Sequence, residues 1–84
     1  MNSKAKKTLL AIFASPTCKN LAWADIESLF VALGATVYEG NGSRVKFEIK
    51  GKTAAFHRPH NPTTARAYQV DLAREFLTKI GVTL

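Results

Sequence analysis

Both histidines of the 84-residue chain fall in one five-residue stretch, Phe56-His57-Arg58-Pro59-His60, with an arginine between them. Two imidazoles at this spacing can divide the work of phosphodiester cleavage. One takes a proton from a ribose 2′-hydroxyl and the other protonates the leaving 5′-oxygen. A guanidinium, Arg58 or Arg44, would stabilise the extra charge on phosphorus. The bland reading is a surface loop with two solvated histidines. A metal site is disfavoured, because no cysteine lies near and no carboxylate follows at ligand spacing; no cofactor is implied. Upstream, Gly40-Asn41-Gly42-Ser43-Arg44 reads first as a tight turn. Its functional version is a loop whose backbone N–H groups and Ser43 hydroxyl contact a phosphate, although it matches neither a Walker loop nor a dinucleotide fingerprint.

Charge agrees with an anionic partner. Twelve Lys and Arg against six Asp and Glu leave +6, a balance that favours nucleic acid. The excess is uneven: Lys4, Lys6, Lys7 and Lys19 make the first 21 residues basic. Asp25, Glu27 and Glu39 make residues 22–39 acidic, and residues 40–66 carry six cations against Glu48 alone. The middle of the chain is therefore the expected anion-facing part. Apolar residues at 46% are ordinary for a globular protein. The length allows one small domain, residues 1–84. With no apolar run of membrane-spanning length and a single cysteine, the expectation is a soluble, cytoplasmic chain. Cys18 has no base beside it in sequence and is not read as a nucleophile.

The elements that must position these residues follow from periodicity. A first helix is expected from Ser3 as N-cap to about Ala14, stopped by Pro16. A second runs from Trp23 to Leu33 on the stripe Ile26, Leu29, Phe30 and Leu33, with Gly34 closing it. Alternation then takes over: strands at 35–39, 44–50 and 53–57, an irregular loop over 58–65, and a last helix over 67–80 ended by Gly81. The result is an α+β fold of order α-α-β-β-β-α. Its three-stranded antiparallel sheet is packed on helices and keeps its other face in water, as in the double-stranded-RNA-binding-domain fold. Trp23 reads as a packing anchor; Tyr68 is open between packing and base stacking.

With Gly51-Lys52 as a two-residue type II′ loop, Lys50 pairs with Thr53, Phe47 with Phe56 and Lys46 with His57. This register puts Phe47, Ile49, Ala54 and Phe56 on the buried face. His57 then stands on the open face beside Lys46, with Arg44 one step along. Neighbouring cations disfavour imidazolium, which would leave a neutral ring able to accept a proton. The same cluster is equally an ordinary phosphate-binding surface.

From Trp23 onward the chain resembles the HicA family of toxins. The resemblance lies in the order and spacing of the helix ending Leu33-Gly34, the Gly42-Ser43 turn leading to Phe47, the Pro/His loop, and the closing helix ending Ile80-Gly81-Val82. It implies an mRNA interferase, an endoribonuclease that inhibits translation and is neutralised by a HicB-type antitoxin. Many members carry a histidine just after the Gly-Ser turn, whereas here Arg44 and Val45 follow Ser43. A guanidinium cannot replace that base near neutral pH. The family's second histidine matches His60. His57 has no counterpart, but the expected register places it across from the vacated position. The assignment is therefore His57 as general base with His60 assisting, and Ser43, Arg44, Lys46 and Arg58 on phosphate. The chief alternative is a non-catalytic RNA-binding module using the same face. A third reading is one half of a protein complex whose acidic partner covers the basic face.

Overall fold

The computed structural model describes residues 2–60 and 63–84. Its elements are α1 (Ser3–Ile12), α2 (Trp23–Ala32), β1 (Thr36–Glu39), β2 (Arg44–Ile49), β3 (Lys52–His57) and α3 (Ala67–Lys79). The expected α+β order, α-α-β-β-β-α, is the one found, and the sheet is antiparallel in the order β1-β2-β3. Of the irregular loop expected over 58–65, Asn61 and Pro62 lie outside the described residues. Among the described residues, no helix is long and apolar enough to cross a membrane.

Each helix follows from local chemistry. In α1, Asn2 rather than Ser3 is the N-cap: its Oδ1 accepts the Ala5 N–H at 2.7 Å. An amide oxygen one residue earlier satisfies a free first-turn donor equally well, so the helix starts with Ser3 already inside. Ala5, Thr8, Leu9 and Ile12 then form its buried stripe. Helices α2 and α3 end alike. Gly34 and Gly81 adopt φ +94° and +85°, and the next residues, Ala35 and Val82, return their N–H groups to Phe30 and Leu77. This wrap satisfies the last carbonyls of each helix and needs the left-handed conformation that glycine adopts without strain.

The core is an aromatic cluster between the sheet and the helices. Phe30 of α2 meets Phe47 at 4.9 Å, Phe76 of α3 at 5.3 Å and Phe56 at 6.0 Å between ring centroids. Trp23 is the packing anchor expected, buried against Phe47 and Phe56. Its indole N–H donates to Glu27 Oε1 at 2.9 Å, so the one polar atom of the ring is satisfied. Helix α1 packs on α2 and α3.

The hairpin differs from expectation in one respect. Lys50 and Gly51, both with positive φ (54° and 77°), form the two-residue loop. That is the type I′ geometry rather than II′. Ile49 therefore pairs with Lys52, Phe47 with Ala54, Val45 with Phe56 and Arg44 with His57. The partner of each residue moves by two positions, so every side chain keeps its face while its neighbour changes. Packing supplies the reason. The expected register sets Phe47 directly against Phe56, whereas the observed one sets each ring opposite a smaller residue. The two phenyls then meet edge-on at 6.0 Å.

Candidate functional site

The open face of the sheet carries most of the candidate site residues. Two rows cross it: Tyr38, Lys46 and Ala55, then Arg44 and His57. Gly40 extends the second row at the sheet edge and donates its N–H to the Arg44 carbonyl at 2.9 Å. A side chain at position 40 would put its Cβ 2.9 Å from that of Arg44, so only glycine admits this close approach without a shift. Arg44, Lys46 and His57 are all exposed and line one groove with Tyr38. The imidazole stands on the solvent side, as expected, but its direct partner is Arg44 and Lys46 is its diagonal neighbour.

Ser43 also reaches the site. Its Oγ lies 3.5 Å from His57 Nδ1, at the long limit of a hydrogen bond. The backbone of His57 is held from the other side by Gln69, a buried glutamine on α3. Its side-chain amide N–H donates to the His57 carbonyl at 2.7 Å, and its Oε1 accepts the Arg66 N–H at 2.9 Å. One side chain thus locks the end of β3 to the start of α3. His60, Arg66 and Tyr68 line a second groove that His57 also borders.

Arg58 borders this second groove, but its guanidinium is turned to other partners. Its guanidinium is clamped by two carboxylates. Nε and Nη2 donate to Glu27 at 3.0 and 2.9 Å, and Nη1 and Nη2 donate to Glu39 at 2.6 and 2.9 Å. Four of the five guanidinium N–H groups are engaged, which leaves little capacity for a phosphate. Alternation explains the departure: adjacent residues at a strand end face opposite sides, so His57 on the open side sends Arg58 toward α2. Its backbone N–H still supports the site by donating to the Ser43 carbonyl at 2.8 Å.

No protein-family model, curated protein or solved structure matches the chain. The comparisons therefore add nothing to the resemblance read from the sequence, and the site is described by its own geometry. Ser43, Arg44, Lys46 and His57 converge, and His60 shares a groove with His57. Sequence reasoning did not single out Tyr38, Arg66 or Gln69, which line the two grooves. It also passed over Glu27 and Glu39, which lie too far apart along the chain to read as a pair. Among the described residues, no group of three His, Cys, Asp or Glu stands together as a metal-holding set.

Electrostatics at the clamp are one-sided. Hydrogen bonds from Arg58 hold the Glu39 carboxyl below its ordinary value of 4.5, and hydrogen bonds to Glu39 and Glu27 push the guanidinium further up. On the open face, the hydrogen bond to Glu48 raises the Tyr38 phenol, whose hydroxyl donates to Glu48 Oε1 at 2.8 Å. A carboxyl with a depressed folded-state pKa contributes stability above its unfolded value and loses it as pH falls through the folded value. Urea midpoints of the wild type and Glu39→Gln are accordingly expected to differ most near neutrality and to converge well below pH 4.5. Parallel pH profiles for the two proteins would show that the Arg58–Glu39 pair adds nothing.

Proposed function

We propose that the chain is a metal-independent endoribonuclease of the HicA kind, the toxin half of a toxin–antitoxin pair, which cuts mRNA and is neutralised by a HicB-type antitoxin. The single observation that carries the reading is the exposed His57 imidazole. It is paired across the sheet with Arg44, contacted by Ser43 and shared between two cation-lined grooves. A solvated surface histidine needs no such surroundings. A base that works on a phosphodiester does.

In the proposed reaction, His57 keeps its Nδ1 proton toward Ser43 Oγ, which leaves the Nε2 lone pair facing the substrate. Nε2 takes the proton of the ribose 2′-hydroxyl as the 2′-oxygen bonds to phosphorus. Arg44 and Lys46 offset the second negative charge that develops on the phosphoryl oxygens. The bond to the 5′-oxygen breaks and His60 supplies the proton that this leaving oxygen takes. The products are a 2′,3′-cyclic phosphate and a 5′-hydroxyl. Atoms and protons balance without an added reactant.

Incubating the purified protein with single-stranded RNA in a chelator tests this directly. Fragments ending in 2′,3′-cyclic phosphate are the expected result. Intact RNA that binds with a steep salt dependence would favour the non-catalytic module.

A further inference from the structure

Two grooves meet at His57, and each holds an exposed tyrosine beside cations. On one side Tyr38 lies with Arg44 and Lys46 in a groove of about 490 Å³. On the other, Tyr68 lies with Arg66 and His60 in a groove of about 370 Å³. His57 borders both. Both volumes fall within the roughly 300–1,000 Å³ in which small ligand groups sit. The two rings are 45% and 59% exposed, an unusual outlay of aromatic surface in a chain whose other large rings are mostly buried.

The Tyr38 ring is also held in place. Its hydroxyl is tied to Glu48, and Lys46 Nζ sits 5.0 Å from its centroid. With the ammonium over one face of the ring, the other face can take a base while the charge takes a phosphate. Tyr68 lies in the first turn of α3, two residues after Arg66, whose backbone is fixed by Gln69. Each groove therefore offers the parts for one nucleotide, and the residue between them is the proposed base.

We infer that the grooves are paired subsites for the nucleotides on either side of the scissile phosphate, with Tyr38 and Tyr68 as stacking platforms, and hence that the substrate is single-stranded RNA with splayed bases. The inference rests on the proposed ribonuclease reading. It runs against the duplex preference that the fold type alone would suggest, because bases paired and stacked in an A-form helix cannot reach either ring.

The test uses a 2′-O-methyl single strand of mixed sequence, which lacks the attacking hydroxyl, with binding followed by fluorescence anisotropy at low salt. Tyr38→Ala and Tyr68→Ala are each expected to weaken binding by roughly 5- to 100-fold, the range of one base–aromatic stack. Tyr38→Phe and Tyr68→Phe should keep affinity within about 2-fold, since the ring is retained. The same strand annealed to its complement should bind more weakly and respond to neither alanine. Unchanged single-strand affinity in both alanine variants, or equal losses on the duplex, would overturn the subsites. Failure of the ribonuclease reading looks different: tyrosine-dependent binding with RNA left intact refutes cleavage and leaves the subsites standing. Cleavage by the wild type that is indifferent to both tyrosines does the reverse.

Discussion

Replacing His57 by alanine is expected to lower RNA cleavage by roughly 10²–10⁴-fold, the contribution of a positioned general base, and to leave the fold unchanged. The side chain is exposed, and among the described residues its one polar contact is the long approach to Ser43. The anchor that Gln69 provides is to the backbone carbonyl, which alanine retains. Thermal midpoints of the two proteins should therefore agree closely, since surface changes of this kind fall within about 0.5 kcal/mol. Binding of an uncleavable strand should also persist, because Arg44 and Lys46 remain. Loss of cleavage with binding and stability intact is a result that a merely structural histidine does not produce. Full activity in His57→Ala would remove the base from this position altogether.

The largest expected effect on stability comes from Phe30→Ala. Phe30 is fully buried and its ring meets those of Phe47, Phe56 and Phe76, so it joins α2 to both long strands and to α3. Truncating a buried phenylalanine costs about 3–5 kcal/mol in lost transfer energy and residual cavity. A domain of this size has roughly 4–13 kcal/mol in total at the usual stability per residue. The urea midpoint of the variant is expected to fall by about a quarter or more at unchanged slope. A drop of less than about a tenth would mean that the four rings do not act as the keystone of the core.

The two effects separate cleanly because the sheet has two faces. Phe47 and Phe56 point to the helices, while Lys46 and His57, their immediate neighbours in sequence, point to solvent. Alternation along a strand thus lets a small domain build its core and its candidate site on consecutive residues. It also restricts which residues can act together. Arg58 follows His57 directly, and for that reason it serves the clamp to Glu27 and Glu39 rather than the open face.

Much of this was legible in the residues alone. The apolar stripe of α2, the alternation of 44–49 and the glycines at 34 and 81 are local signals, and each reports on contacts within a few residues of itself. They suffice for element order, for the buried face and for placing His57, Arg44 and Lys46 on the same side. The hairpin partner of His57 was not legible. Lys50-Gly51 and Gly51-Lys52 are both acceptable two-residue loops, and the choice between them depends on how Phe47 and Phe56 pack beneath Phe30 and Trp23. The Arg58 clamp was hidden for a similar reason. Its partners come from α2 and β1, 31 and 19 positions away, and no local pattern couples such distances. Short-range sterics and hydropathy therefore determined which elements exist and which way they face. Only the packed chain decided who stands beside whom, because neighbours across strands and layers are chosen by the fit of large side chains.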